Sequence, residues 1–448
     1  GPPLHVEALR SLAERLRCLA GDGERAGGEG CPLAVSTLRG QLAETRDWWR
    51  NPARPSVVVG TIDLIGSRLL FQGYRAGFKY RPLHAGFLGQ DTLIVHDEAH
   101  LEPAFQQLIE AIAAEQRRES AKEIKGLRMR VMALTATPRA GGTGVFELTE
   151  AEKRGDVPIV SDRLFAQKGL KIHKAAKNNV ADRICYLALQ HKESGLPILI
   201  FARTVEDVGK IQTRLTKAKG GVPPDQLRTL TGTIRGRERD SLAKDKVFRR
   251  FLPASANGET SSEDPPQAGT VYLICTSAGE VGIDLSAAHL VCDLTSLESL
   301  AQRFGRVNRR GEGPAAWIDL VHEENDDQKE KKEKKDDAYE KSRWATLKIL
   351  ENPDLMSAYD WDADRRDVSP AALARIMGKL SEEQRTAAFS PIPDIPPTND
   401  ILFDAWSLTT ISRPLVDAPL PGRPPVAPYL HGIEDKEQAT TQFAWREE

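Results

Sequence analysis

The chain has 448 residues, 40% hydrophobic and 28% charged, and its 62 Lys+Arg against 64 Asp+Glu give a net charge of −2. That length implies two or three domains, each able to bury a core. The charge balance excludes a basic protein but leaves room for a local basic groove. No stretch approaches the ~18 apolar residues of a membrane span, and no global bias supports collagen, coiled coil or wholesale disorder.

Residues 4–20 place Leu4, Ala8, Leu12, Leu16 and Leu19 on one stripe and are expected to form a helix. A Gly-rich loop follows from Gly21 to Gly30. Short runs rich in Val, Ile and Leu then appear at 56–60, 92–95 and 130–134, with a helical pattern over 101–118. A second set lies at 197–201, 270–274, 290–293 and 316–320, again alternating with helices. Strands alternating with helices imply parallel sheets with covered faces. The expected fold class is therefore α/β, with one lobe over 1–150, a linker over 151–175, a second lobe over 176–322 and an accessory region over 323–448.

Residues 253–269 contain no Val, Ile, Leu or aromatic and read as a disordered insertion. The mixed charge run 323–341 reads as a solvated helix, with Glu330/Lys334 and Asp337/Lys341 at i,i+4. From 389 onward prolines dominate, which suits an extended segment that packs on a neighbour or links to something further on. Five cysteines (18, 31, 185, 275 and 292) form no CxxC pair. That disfavours a zinc site or a disulfide framework and fits a reducing cytoplasm. The opening Gly-Pro-Pro is expected of a fragment.

The strongest local signal is Leu93-Ile94-Val95-His96-Asp97-Glu98-Ala99-His100. An apolar strand ends in two carboxylates and a His, and ligands bind at the carboxyl ends of parallel strands. Asp97 suits a Mg²⁺ held through its waters, and Glu98 suits polarising a water that attacks a γ-phosphate. His100 is a candidate link from that site to a neighbouring lobe. A solvated acidic turn is the plainer alternative for these four letters alone. One βα unit later, Thr135 and Thr137 in Leu134-Thr135-Ala136-Thr137-Pro138 are hydroxyls placed to sense the carboxylates by hydrogen bonds.

In the second half, Cys275-Thr276-Ser277-Ala278-Gly279-Glu280-Val281-Gly282-Ile283-Asp284-Leu285 follows a strand. Gly279 and Gly282 let backbone approach a ligand, and Thr276 and Ser277 suit a nucleic-acid phosphate. Asp284 suits either a ribose or a neighbouring arginine. Gln302-Arg303-Phe304-Gly305-Arg306-Val307-Asn308-Arg309-Arg310 holds four arginines within eight residues. Arg306 and Arg309 share a helical face and are candidate fingers for triphosphate oxygens, an interaction worth about 10³–10⁵ in rate. A basic surface helix or RNA patch has equal weight from this segment alone.

The order of these segments resembles the superfamily 2 helicase/ATPase core, whose motifs II, III, V and VI they match over roughly residues 30–320. Val59 to Asp63, Phe201 to Val205, Leu230 to Asp240 and Arg306 to Gly313 further resemble the helicase of type I CRISPR interference. Arg81 to Gly89 looks like the subtype formerly called U, or G. The resemblance implies two RecA-like lobes with a C-terminal helical and Pro-rich accessory region, and ATP bound with Mg²⁺ in an interlobe cleft. It places Asp97 on the metal, Glu98 on water, His100, Gln302, Gly282 and Asp284 near the nucleotide, and Arg306 and Arg309 on the transferring phosphoryl group. Thr135 and Thr137 would couple hydrolysis to lobe motion.

The same resemblance makes Thr61, Asp63, Arg235, Thr276 and Ser277 contacts to a displaced DNA strand followed 3′→5′. Its implied partners are that single strand, a surveillance complex carrying guide RNA, and an HD nuclease domain or subunit, with no membrane. Arg203 stands where many relatives carry Asn.

Two parts of the pattern are missing from the 448 residues. No GxxxxGK[ST] occurs, and neither Gly209-Lys210 nor Gly378-Lys379 is followed by Ser or Thr, so the phosphate cradle is expected upstream or on another polypeptide. The nine histidines form no metal-binding spacing, so the nuclease is expected elsewhere. A first lobe lacking a central strand is expected to be poorly stable alone. Two other functions stay open: a general superfamily 2 DNA or RNA helicase in repair or RNA metabolism, and a catalytically silent nucleic-acid-binding module.

Overall fold

The computed structural model describes residues 34–38, 47–51, 54–74, 76–120, 128–135, 145, 147–176, 179–218, 220–232, 242, 244–252, 267–280, 282–323, 338–359, 362–408 and 424–433. The helix expected at 4–20, the loop at 21–30, Thr137, Arg235, most of the 253–269 insertion and the charge run over 324–337 lie outside them. The chain divides into two compact units, residues 1–138 with 392–448, and residues 139–391.

The first unit opens with β1 (Ala34–Leu38), α1 (Asp47–Arg50), β2 (Ser56–Gly60), α2 (Ile62–Leu69) and α3 (Arg81–Gly89). It continues with β3 (Leu93–His96), α4 (Pro103–Ser120) and β4 (Arg130–Ala133). β1 pairs in parallel with β2, and β3 with β4. Leu38, Val58, Ile94 and Val131 pack with Leu64, Leu69, Phe105, Leu108 and Ile109 in one core. The alternate residues Val35, Val57, Val59, Leu93, Val95 and Met132 are 45% to 60% exposed. Parallel strands are ordinarily covered on both faces. Among the described residues, helices cover only one face of these.

The second unit begins with a π-turn (Glu152–Asp156), α5 (Pro158–Leu164), β5 (Lys168–Ala175), α6 (Val180–Gln190) and β6 (Pro197–Phe201). There follow α7 (Val205–Lys217), β7 (Leu227–Leu230), β8 (Val271–Cys275), β9 (His289–Asp293), α8 (Leu297–Phe304) and β10 (Ala316–Glu323). α9 (Ala338–Glu351), β11 (Ala358–Tyr359), β12 (Asp362–Asp367), α10 (Pro370–Lys379) and α11 (Glu382–Ala388) complete it. Its sheet has eight strands in the order β11-β12-β5-β10-β9-β6-β8-β7. β5, β10, β9, β6, β8 and β7 are parallel, and β12 and β11 add an antiparallel edge.

β8 and β9 are buried at every position, as befits strands covered on both faces. α7 starts where Thr204 Oγ1 accepts the Asp207 N–H at 3.0 Å. It buries Val208, Ile211 and Leu215 at helical spacing.

The structure departs from the expected boundaries in two places. The segment 151–175, expected as a linker, supplies α5 and the sheet strand β5. Three lysines disguise that strand in the sequence, yet Lys168 is 2% exposed and its ammonium donates to the Phe304 carbonyl at 2.8 Å. Burial depresses that ammonium to about 7.

The region 323–448 does not act as one accessory part either. Residues up to 391 belong to the second unit, and the remainder to the first. There α12 (Asp400–Ser407) and α13 (Ala427–His431) complete the first core. Trp406 is 0% exposed, with its indole N–H donating to Pro424 O at 2.9 Å, and Val426 and Leu430 are buried beside it.

Candidate nucleotide and nucleic-acid site

In the first unit the acidic residues follow β3 at its carboxyl end. Asp97 is exposed, and its Oδ1 accepts the Glu98 N–H at 3.1 Å. Glu98 has φ +50, a left-handed conformation that costs a residue with a Cβ about 1–2 kcal/mol. Such strain persists where the surrounding structure dictates it, often at functional sites. The dictating contacts are backbone bonds between the two strand ends: Leu134 N–H donates to His96 O at 2.9 Å and Ala99 N–H to Leu134 O at 3.0 Å. His100 is buried, with Nδ1 hydrogen-bonded to Thr135 Oγ1 at 2.9 Å and 3.6 Å from Glu98 Oε2. Thr135 thus reaches the acidic cluster through His100.

Mg²⁺ is usually held by one or two carboxylates together with phosphates and water. Asp97, a hard oxygen donor exposed at a strand end, fits that pattern, and no cluster of three or more candidate metal ligands occurs among the described residues. A nucleotide fits only in part, because no residue of the chain supplies the Gly-rich β/γ-phosphate cradle.

Thr61 is exposed at the N-cap of α2, where its side chain makes no capping bond. Asp63 lies one turn on, and its Oδ1 is 2.9 Å from His431 Nε2 on α13. His431 Nδ1 is 3.4 Å from Glu102 Oε2. The hydrogen bond with Glu102, aided by Asp63 and opposed by burial, raises His431 to about 9. A raised cationic group gives its full stabilisation below its unfolded value near 6.5, and loses it as pH climbs through about 9. Because the pair is partly solvated its worth is small. We expect the melting temperature of the first unit to fall by on the order of 1–2 °C between neutral pH and pH 10, and His431→Gln to remove that dependence.

In the second unit the sites cluster at the carboxyl ends of β6, β8 and β9. Thr276 is buried and its N–H donates to Leu230 O at 3.1 Å, whereas Ser277 is exposed. Gly282 has φ +80, a value that explains glycine there. Asp284 pairs with Arg309 Nε at 2.9 Å and lies 3.7 Å from Arg310, so the arginine is the partner seen for it. Gln302 is half-buried on α8. Gly311, at φ +72, leaves no room for a Cβ against the Asp162 carbonyl, which locks the arginine turn onto α5.

Arg306, expected beside Arg309 as a second phosphate contact, is 5% exposed. Its guanidinium donates to the carbonyls of Glu280 and of Ile283, the latter at 2.7 Å. Its charge is committed to the backbone of the Glu280–Ile283 turn. The Arg309 side chain, 41% exposed, is the one of the two at the surface.

Sequence reasoning passed over Glu280, Asp293 and Arg303. Arg303 lies 2% exposed between the two carboxylates, at 2.8 Å from Glu280 Oε1 and 2.9 Å from Asp293 Oδ1. Burial opposes its charge, but the Glu280 and Asp293 carboxylates hold the guanidinium above its ordinary value. An arginine at the same helical period as its apolar neighbours was the available signal, since buried charges need partners.

The fold is that of a superfamily 2 helicase core, with RecA-like parallel-sheet lobes and a C-terminal helical region. Residues 194–312 match the family model described as CRISPR-associated nuclease/helicase Cas3, C-terminal. The crystal structure of T. fusca Cas3-ADP is similar at 16% identity and a TM-score of 0.51, over 82% of this chain and 44% of that one. T. fusca Cas3-AMPPNP is similar at 17% identity and a TM-score of 0.50, over 77% and 43%. The chain spans less than half the length of the Cas3 structures it matches, and at such identity the likeness concerns fold. The curated proteins give no sequence match.

Proposed function

We propose that the chain is the motor portion of an ATP-driven translocase that follows the displaced single DNA strand in type I CRISPR interference. A surveillance complex carrying guide RNA would open that strand, and an HD nuclease domain or subunit would degrade it. The observation behind this reading is the strained Asp97-Glu98 pair at a parallel strand's carboxyl end, tied through His100 to Thr135 at the end of the next strand. The Cas3-like match over 194–312 supports the CRISPR assignment.

ATP with Mg²⁺ would supply the transferable phosphoryl group. Asp97 would hold the cation, and Glu98 would orient a water and take its proton. Arg309 would neutralise charge on the phosphoryl oxygens, with Asp284 holding the guanidinium in place. His100, Gln302 and Gly282 would line the nucleotide side. Arg306 would fix the turn that bears Arg309. Thr61, Asp63, Arg235, Thr276 and Ser277 would line the path of the strand, Thr135 and Thr137 would couple the two activities, and a P-loop beyond these 448 residues would complete the phosphate cradle.

Oligothymidylate binding measured across salt concentrations tests the strand path. With two or more phosphates neutralised, log K should fall by at least about 1.4 per decade of salt. A flat profile, or a profile identical for duplex DNA, would count against a single-strand groove.

A further inference from the structure

Glu280 grips the arginine segment with two different groups. Its carboxylate Oε1 accepts from Arg303 Nε at 2.8 Å and from Ser299 Oγ at 2.8 Å. Its backbone carbonyl accepts from Arg306 Nε at 2.9 Å and from Arg306 Nη2. Arg303 is held on its far side by Asp293 and lies over the Phe201 ring at 5.0 Å. Asp293 Oδ2 in turn accepts the Arg203 N–H at 3.0 Å. These charges are buried, so none of the three residues can shift alone without stranding a partner.

Glu280 is also tied to the strand-facing edge. It follows a 3-10 turn, Ser277–Gly279, and its N–H donates to Ser277 O at 2.9 Å. With Ser277, Thr204, Thr295 and Tyr339 it lines a polar cavity of about 330 Å³. A displacement of Ser277 therefore moves Glu280, and Glu280 moves with Arg303 and Arg306. Arg309, three residues beyond Arg306, sits on the same turn.

We propose that Glu280 is a positioning residue that passes occupancy of the Ser277 edge by a nucleic-acid strand to the Arg306–Arg309 turn. This rests on the strand-binding reading given above. Glu280 touches neither reactant; it sets where Arg309 points. The carboxylate is needed for the Arg303 side of the grip, while the carbonyl side survives any substitution. Glu280→Gln should therefore loosen the coupling without erasing the fold.

The test is amide hydrogen exchange on the full chain, with and without oligothymidylate, beside the binding constant for that oligonucleotide. In the unsubstituted chain the oligonucleotide should change exchange at both 276–286 and 305–311. Glu280→Gln should bind with an affinity within about threefold, keep the change at 276–286, and reduce that at 305–311 at least about fivefold. Glu280→Asp should restore part of it. Ser299→Ala, which removes one bond to the same carboxylate, should give an intermediate loss even if the Gln variant folds poorly.

A merely structural Glu280 would raise exchange in the free protein and leave the oligonucleotide-induced change at 305–311 intact. That result overturns the proposal. So does an unsubstituted chain that binds oligothymidylate with no change at 305–311. An unsubstituted chain that does not bind the oligonucleotide at all overturns the strand reading, and the positioning role with it.

Discussion

Arg303→Ala is expected to destabilise the second unit by about 3–5 kcal/mol, the usual consequence of removing one member of a buried charge cluster. The substitution leaves Glu280 and Asp293 facing each other across the space of a lost guanidinium, both nearly inaccessible to solvent. Lost packing over Phe201 adds to the cost. Urea unfolding followed by circular dichroism measures it as a fall in midpoint with an unchanged slope. A change below about 1 kcal/mol would place the site in the class of exposed ion pairs, against the burial described here. Arg309→Ala, by contrast, removes a partly exposed pair with Asp284, and its effect on stability should stay within about 1 kcal/mol.

Trp406→Ala should have an effect of similar size on the other unit. The indole is fully buried among Phe403, Tyr429 and the first core, with its N–H bonded to Pro424. Truncating such a side chain costs about 3–5 kcal/mol. Calorimetry should resolve two transitions, because the exposed apolar faces of β1 to β4 make the first unit the weaker. Trp406→Ala should lower the first transition by roughly 10 °C and leave the second in place. A shift in the second transition instead, or one sharp transition at high temperature, would contradict the assignment of residues 392–448 to the first unit and its low stability.

The strands that could be read from the sequence are those whose residues are apolar throughout, such as β6, β8 and β9. β5 was taken for a linker because Lys168, Lys171 and Lys174 interrupt its apolar residues, and the buried Lys168 owes its place to the carbonyl of Phe304, 136 residues away. β1 and β7, with Ser36, Thr37, Arg228 and Thr229, lack the apolar density that marks a strand. The tail was read as extended because of its prolines, yet Trp406 and Leu430 return it to the first core through contacts that no local pattern signals.

The site divides in the same way. Asp97, Glu98, Thr135, Ser277 and Arg309 were legible because their chemistry sits at strand ends in a fixed order. Glu280, Asp293 and Arg303 were not, since what distinguishes them is whom they meet across the fold. Arg306 has the residue type and spacing of a phosphate contact, and only the structure shows its guanidinium turned onto the Glu280 and Ile283 carbonyls. Asp63 meets His431 from 368 residues away, a pairing beyond the reach of any motif.

The most direct test of the proposed motor is ATP hydrolysis stimulated by single-stranded DNA, measured for the chain alone and with a P-loop-bearing segment supplied, each beside Glu98→Gln and Arg309→Ala. We expect stimulated hydrolysis only when the P-loop is present, with Arg309→Ala reducing it about 10³-fold or more and Glu98→Gln abolishing it while oligonucleotide binding persists. Hydrolysis that ignores DNA, or that survives Glu98→Gln, would contradict the account.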